Sequence, residues 1–102
     1  ALFGQGRHPN ADAIERAVTA KTRVLVLNTP NNPTGAVLSR ECLEGVAEVA
    51  KRRNLFVLSD EMYRGLEHSA ANILPAACDF LPYAASLSGL SKGFALPGLR
   101  LG

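Results

Sequence analysis

The stretch from Ser86 to Arg100 concentrates residue types that could carry out chemistry. Lys92 and Ser91 lie among small, hydroxyl-bearing and apolar residues, and Arg100 follows in the same stretch. Apolar surroundings favour the neutral form of a lysine, and a neutral amine can form a Schiff base with a carbonyl. A guanidinium fork suits a phosphate. The pattern fits a phosphorylated aldehyde such as pyridoxal 5′-phosphate, but a solvated lysine in a turn and a surface-paired arginine would also produce it.

Asp60 and Tyr63 form a second candidate group, directly after the apolar run Leu55 to Leu58. A carboxylate at Asp60 could keep a pyridine nitrogen protonated, so that the ring withdraws electrons from a bound substrate. If the chain turns helically there, Tyr63 shares that face and its hydroxyl could bond to the phenolic oxygen of the ring. A cap or surface pair for Asp60, and a tyrosine at the edge of the core, are the structural alternatives.

Asn32 belongs to a segment, residues 28–35, whose prolines, asparagines and glycine cannot continue a sheet. Its amide could donate to the same phenolic oxygen. The alternative is a turn asparagine that bonds to its own backbone. A cis bond between Asn32 and Pro33 would suit a tight turn.

Other polar residues carry weaker signals. Ser86 and Ser88 could add hydroxyl groups to a phosphate site, although a loop serine usually caps backbone groups. Three further residues are interpreted as surface residues without a catalytic role: Glu61, Glu67 and His68.

Apolar patterning predicts the elements that must position these residues. Continuous apolar runs predict strands at 23–27 and 55–59, covered on both faces, with a weaker candidate at 83–87. Strand, helix and strand in this order predict a parallel crossover. The three strand ends, which carry Asn32, Asp60 and Lys92, then converge, and open α/β sheets bind ligands just beyond the carboxyl ends of their strands.

Two helices are predicted from caps and periodic apolar residues. The first covers about residues 11–21 and begins after Asn10, and the second covers about 40–53 and begins after Ser39. The expected buried stripe of the second helix consists of Leu43, Val46, Ala47 and Ala50. Residues 64–82 are expected to be irregular, with one short helical turn.

Composition limits the function classes. The 102 residues are 47% hydrophobic and 20% charged, which indicates one globular domain. The net charge of +2 is spread along the chain, and the basic run Lys51 to Arg53 is expected to end a helix rather than bind nucleic acid. Cys42 and Cys78 lack a metal-ligand spacing and suit cytosolic thiols. No metal, membrane span or signal peptide is predicted.

Three blocks resemble the signatures of fold-type I pyridoxal-phosphate enzymes, and most closely those of class I/II aminotransferases. The blocks are Asn31-Asn32-Pro33-Thr34-Gly35, Asp60-Glu61-Met62-Tyr63, and Ser91-Lys92 with Gly98-Leu99-Arg100-Leu101-Gly102. Their order and spacing fit the family, and the resemblance covers roughly residues 23–102. It implies an α/β fold, a three-layer αβα architecture with a mainly parallel sheet, of which residues 1–102 form part of the large domain.

The resemblance also implies roles for individual residues. Lys92 would be the catalytic residue that holds pyridoxal 5′-phosphate as a Schiff base and then acts as base and acid. Asn32, Asp60 and Tyr63 would contact the pyridine ring, whereas Ser91 and Arg100 would contact the phosphate. The implied reaction moves an amino group between an amino acid and a 2-keto acid, in a cytoplasmic enzyme that is a homodimer when complete.

The chain departs from the family pattern at one position and lacks several of its parts. Many members have Ser or Thr three residues before the lysine, where this chain has Gly89. An upstream phosphate loop, a ring-stacking aromatic residue, a downstream carboxylate-binding arginine and the small domain cannot be assigned. The start without methionine and the end at Gly102 favour a piece of a longer protein, whose isolated chain would be a poor catalyst.

Two other functions fit the same residues. One is a different pyridoxal-phosphate reaction on an amino acid, namely elimination, cyclisation or decarboxylation, because the cofactor permits each of them. The other is a domain that binds the cofactor as a sensor without catalysis. A plain nucleotide-binding module is disfavoured, since neither a G-x-G-x-x-G nor a Walker motif is present. The sequence does not identify the substrate.

Overall fold

The computed structural model describes residues 11–102, so the predicted cap at Asn10 lies outside the described residues. Its helices and strands follow in chain order: α1 (Ala11–Ala17), β1 (Val24–Asn28), α2 (Arg40–Arg53), β2 (Phe56–Asp60), α3 (Ala77–Phe80), β3 (Ala84–Leu87) and α4 (Leu90–Gly93). Two 3₁₀ turns, Ala70–Asn72 and Pro97–Leu99, precede α3 and follow α4. The predicted α/β order is confirmed, and each predicted strand starts one residue early.

The three strands form one parallel sheet in the order β1-β2-β3. Val24 pairs with Phe56 and Asn28 with Asp60, while Asp60 in turn pairs with Leu87. The carboxyl ends of all three strands therefore lie side by side at one edge. This edge is the predicted position of the site.

Helix α2 begins at its predicted cap. The Ser39 hydroxyl accepts a hydrogen bond from the Cys42 backbone N–H at 3.1 Å, and Asn54 ends the helix in the left-handed conformation. Its buried residues are Leu43, Val46, Val49 and Ala50. Val49 was not predicted, and Ala47 is only half-buried. The buried stripe packs on Leu27 and Val57 of the sheet in a common core.

Helix α1 is shorter than predicted. It ends at Ala17 because Thr19 and Thr22 form a turn: the Thr22 hydroxyl accepts from the Thr19 N–H at 3.0 Å, and the Thr22 N–H donates to the Thr19 carbonyl. Ile14 anchors α1 in the core. Glu15 forms ion pairs with Arg52 and Arg53. The basic run Lys51 to Arg53 forms the last turn of α2, as predicted.

Helices α1, α2 and α3 pack against only one face of the sheet. On the opposite face Val24 is 49% and Val26 65% exposed, because no described element covers them. The prediction that the strands are covered on both faces is therefore wrong for this part of the chain, and only one helical layer of the predicted three-layer architecture lies among the described residues. No helix among residues 11–102 is long and apolar enough to cross a membrane.

Candidate functional site

Backbone hydrogen bonds hold the strand ends together at the carboxyl edge. The Thr29 N–H donates to the Asp60 carbonyl at 3.0 Å, and the Glu61 N–H donates to the Leu87 carbonyl at 2.8 Å. Both bonds continue the parallel ladder by one residue beyond the strands. The three segments that follow β1, β2 and β3 therefore start from fixed positions. This holds even for the segments after β1 and β2, which are irregular.

Asn32, Tyr63 and Lys92 meet beyond this edge. The Asn32 side-chain amide donates to the Tyr63 hydroxyl at 3.1 Å. The Lys92 ammonium lies over the Tyr63 ring, 6.0 Å from its centroid, at the limit of a cation–π contact. The three residues follow three different strands, so the fold brings together groups that are far apart in sequence.

The loop after β1 explains why the Asn32 side chain is available for Tyr63. The neighbouring Asn31 accepts bonds to its side-chain oxygen from the Thr34 hydroxyl at 2.7 Å and the Thr34 N–H at 3.3 Å. Its backbone N–H donates to the Ala36 carbonyl at 2.9 Å. Asn31 is therefore the turn asparagine, and the alternative considered for Asn32 applies to its neighbour. The peptide bond between Asn32 and Pro33 is cis as predicted, and that between Thr29 and Pro30 is also cis.

Asp60 is half-buried at the end of β2. One carboxylate oxygen accepts from the Met62 N–H at 3.1 Å, which begins the turn that carries Tyr63. In the same turn, the Arg64 N–H donates a hydrogen bond to the Glu61 carbonyl at 2.9 Å. Within residues 11–102 Asp60 has no ion-pair partner, so a carboxylate oxygen remains for a cationic group.

Lys92 and Ser91 lie on the short helix α4 rather than in a loop. The Leu90 N–H donates to the Leu101 carbonyl at 3.2 Å, and the Leu96 N–H donates to the Leu90 carbonyl at 3.0 Å. The chain therefore folds back beside the start of α4. Ser91 is half-buried, and its hydroxyl makes no hydrogen bond within the described part of the chain.

Within the described part of the chain, the Arg100 guanidinium forms no hydrogen bond or ion pair with the other predicted site residues. It is exposed, adopts the left-handed backbone conformation at φ 53°, and donates from Nη1 to the Pro97 carbonyl at 3.2 Å. The fold-back beside α4 brings its backbone near Leu90. A guanidinium held only by one carbonyl still has donors for an anion.

The departure at Gly89 has a structural reason. A Cβ atom there would lie 3.1 Å from the Leu101 carbonyl oxygen, and one at Gly102 would lie 3.0 Å from that of Ser88. Both distances are shorter than an ordinary van der Waals contact, so a side chain at either position would require the facing backbone to move by a few tenths of an ångström. The Gly89 backbone itself is extended at φ −173° and carries no strain.

Glu61 was wrongly predicted to be a surface residue. It is 4% exposed, and its Oε1 accepts from the Ala77 N–H at 2.8 Å and from the Ser86 hydroxyl at 3.0 Å. The Ser86 hydroxyl also accepts from the Cys78 N–H at 3.1 Å and so connects β3 to α3. Its proton is bonded to Glu61, so this structure gives no support for the suggested phosphate role of Ser86. The alternation Val57, Ser59, Glu61 was the missed signal, because every second residue of a strand faces the same side.

A cleft of about 1150 Å³ opens beside Asn32 and Tyr63. The loop 30–39 forms one wall, and Glu67 and His68 lie on the other. Glu67 accepts from the Gly65 N–H at 2.7 Å and is half-buried, whereas His68 is exposed as predicted. Among the described residues no cluster of His, Cys, Asp and Glu side chains could hold a metal ion.

Comparison with known proteins places this geometry in a family. Residues 4–102 match the family described as aminotransferase class I and II. The chain is 43% identical over 95 residues to aromatic-amino-acid aminotransferase 2 of Thermococcus litoralis, covering 91% of this chain and 24% of that protein. It is 42% identical over 101 residues to a probable N-succinyldiaminopimelate aminotransferase of Mycobacterium tuberculosis, covering 97% of this chain and 25% of that protein.

Solved structures of aminotransferases have the same fold as this chain over almost its whole length. The structure of N-succinyldiaminopimelate aminotransferase from Mycobacterium tuberculosis superposes with a TM-score of 0.85 at 39% identity, covering 99% of this chain and 27% of that one. A Thermus thermophilus aspartate aminotransferase complexed with maleate superposes with a TM-score of 0.81 at 36% identity, covering 92% and 24%. The chain thus spans about a quarter of the length of the relatives it matches.

Proposed function

Because this chain belongs to the class I and II aminotransferase family, we propose that the complete protein containing it is a pyridoxal-phosphate-dependent aminotransferase. It moves an amino group between an amino acid and a 2-keto acid. The observation that carries the proposal is the meeting of Asn32, Tyr63 and Lys92 at the carboxyl edge of a parallel sheet, the edge at which β2 ends with Asp60.

The residues fit the chemistry of pyridoxal 5′-phosphate. The cofactor supplies an aldehyde that a primary amine can bond and a ring that withdraws electrons from the substrate. Asn32 and Tyr63 are hydrogen-bonded to each other, so their polar groups are close enough for both to donate a hydrogen bond to one oxygen on the ring. Asp60 has a carboxylate oxygen without an ion-pair partner among the described residues, which suits a protonated ring nitrogen.

Lys92 is the proposed catalytic residue. Lys92 is exposed and, within the described residues, its Nζ is approached by the Tyr63 ring rather than by a carboxylate. An amine without a salt bridge is free to bond the aldehyde and, once a substrate amine displaces it, to carry a proton. Ser91 and Arg100 are proposed to hold the phosphate, because the hydroxyl and most of the guanidinium are unused.

The wider organisation of the complete protein is proposed by analogy with the family. We propose that residues 1–102 are the middle part of the cofactor-binding large domain, and that the complete protein is a homodimer in the cytoplasm. The thiol of Cys78 suits a reducing compartment. Relatives are named for different amino acids, so the proposal names the substrates only as an amino acid and a 2-keto acid.

The test uses the complete protein loaded with pyridoxal 5′-phosphate. Borohydride reduction followed by peptide mass mapping should place the cofactor on Lys92, and a panel of amino acids should yield keto acids only with a keto-acid acceptor present. Lys92→Ala should abolish both results, whereas Lys51→Ala, at the exposed end of α2, should leave both unchanged. A label on Lys21 or Lys51 of the wild type would contradict the assignment.

A further inference from the structure

Glu61 is buried in an unusual way for a carboxylate. It directly follows Asp60 but faces the opposite side of the strand, it is 4% exposed, and it forms no ion pair within the described part of the chain. Burying a carboxylate without strong hydrogen bonds is costly. The contacts of this group should therefore matter to the fold around it.

The carboxylate connects three segments. Its Oε1 accepts from the Ala77 N–H at 2.8 Å and from the Ser86 hydroxyl at 3.0 Å. Ser86 lies on β3, and its hydroxyl accepts from the Cys78 N–H at 3.1 Å. The end of β2, the middle of β3 and the start of α3 are thus joined by side-chain bonds in addition to the ladder.

Both strands so joined carry residues of the proposed site. Asp60 is the last residue of β2 and directly precedes Glu61, and β3 leads within a few residues to Lys92 on α4. The bond between Glu61 and Ser86 ties the segment that presents the carboxylate to the segment that presents the amine. Misplacement of reacting groups by about 1 Å can reduce a rate about a hundredfold.

We propose that Glu61 is a positioning residue, which sets the geometry between Asp60 and Lys92 by joining β2, β3 and α3 through its buried carboxylate. The catalytic part of this inference rests on the proposed function. The structural part does not, since it concerns the order of residues 60–63 and 88–93 with or without cofactor.

The chain offers variants that separate acceptor geometry from burial. Glu61→Gln keeps an oxygen that can accept both hydrogen bonds, whereas Glu61→Leu fills the space and leaves both donors without this acceptor. Ser86→Ala removes one donor and leaves the carboxylate bonded to Ala77. Ser59→Ala is the matched control: Ser59 is 1% exposed on the same face of β2, and its hydroxyl has no hydrogen-bond partner among the described residues.

The experiment measures three properties of the complete protein: the Kd of pyridoxal 5′-phosphate by titration, kcat and KM for an active amino acid, and amide hydrogen exchange of residues 60–63 and 88–93 without cofactor. Loss of a buried acceptor should raise Kd about tenfold in Glu61→Leu and lower kcat more than it raises KM. Exchange in both segments should accelerate about tenfold. Glu61→Gln should stay within about threefold of the wild type in all three properties, and Ser59→Ala should match it.

Two results would overturn the inference. One is a folded Glu61→Leu variant with wild-type Kd, kcat and exchange. The other is a Glu61→Gln variant as impaired as Glu61→Leu, since the acceptor would then not be what matters. If Glu61→Leu does not fold, Ser86→Ala decides: slower turnover with faster exchange at residues 88–93 supports the inference, and wild-type values contradict it. If wild-type protein binds no cofactor, the proposed function fails, while the exchange measurement still tests the positioning.

Discussion

The Asn32 amide donates a hydrogen bond to the Tyr63 hydroxyl at 3.1 Å and so links the segments that follow β1 and β2. Because the two residues are 31 positions apart, the bond depends on the parallel pairing of the strands behind them. Because the Tyr63 oxygen is the acceptor in this bond, its hydroxyl hydrogen is still available for a further acceptor. A phenolic oxygen on a bound ring is the acceptor that the proposed function supplies.

The first prediction concerns the coupling of these two residues. In the complete protein, Asn32→Ala and Tyr63→Phe should each weaken the binding of pyridoxal 5′-phosphate, and the double variant should lose less than the sum. The expected coupling is about 1 kcal/mol, the contribution of one hydrogen bond. Titration of the cofactor measures it. Tyr83→Phe is the control because Tyr83 is 66% exposed at the opposite end of β3, and strictly additive losses would exclude a joint role for the pair.

The second prediction concerns the charge of Asp60. Asp60→Asn keeps an oxygen that can accept from the Met62 N–H, so the turn after β2 should persist. It removes the negative charge proposed to sit beside the ring nitrogen. Single-turnover rates with an amino acid donor should fall at least about 100-fold, on the scale of a lost electrostatic group, while Lys92 still binds the aldehyde. Asp79→Asn, an exposed carboxylate on α3, serves as the control, and normal turnover by Asp60→Asn would remove Asp60 from this role.

The third prediction concerns phosphate retention. Arg100→Lys keeps the positive charge. Arginine and lysine both carry a Cβ atom, so the energetic cost of the left-handed backbone at φ 53° is the same in the variant and the wild type. Lysine lacks the planar fork that can donate two hydrogen bonds to a phosphate. The Kd of pyridoxal 5′-phosphate should rise about tenfold, whereas Arg40→Lys at the start of α2 should leave it unchanged. Equal affinities for both variants would make Arg100 a structural residue.

The parallel sheet could be predicted because the strands are marked by local signals. The apolar runs before Asn28 and Asp60 and the Ser39 cap each depend on a few neighbouring residues, and all three agree with the structure. The open face of the sheet could not be predicted. Val26 belongs to a continuous apolar run, the pattern of a strand that is covered on both faces, and yet it is 65% exposed. The apolar pattern shows which residues suit a buried face, but it does not show whether the segment that would cover that face lies within residues 11–102.

The site divides in the same way. The convergence of the strand ends that lead to Asn32, Asp60 and Lys92 was predicted from strand order, whereas the position of Tyr63 depended also on the turn after Asp60. The burial of Glu61 depends instead on which face of β2 is covered, and it is indicated by the alternation Val57, Ser59, Glu61 rather than by the residue type of Glu61. The contact between Gly89 and Leu101 arises from a fold-back that no local pattern marks.

The last prediction concerns the ion pairs that join α1 to α2. Glu15 accepts hydrogen bonds from Arg52 at 2.7 Å and Arg53 at 2.6 Å, and these bonds lower the pKa of Glu15 from its ordinary value of 4.5. A carboxylate whose pKa is lowered by folding stabilises the folded state above its unfolded pKa, and the contribution is lost as the pH falls through the folded pKa. Glu15→Gln should therefore melt at a lower temperature than the wild type at pH 7.

The difference between the two melting temperatures should persist down to about pH 4.5, shrink below it, and decrease with added salt because the pair is at the surface. Glu44→Gln, an exposed position on α2 without an ion pair among the described residues, should match the wild type across the same range. Thermal unfolding at several pH values measures the melting temperatures of the wild type, Glu15→Gln and Glu44→Gln, each as the complete protein. If the melting temperature of Glu15→Gln stays below that of the wild type by the same amount from pH 7 to pH 3, packing, and not the charge of Glu15, holds α1 on α2.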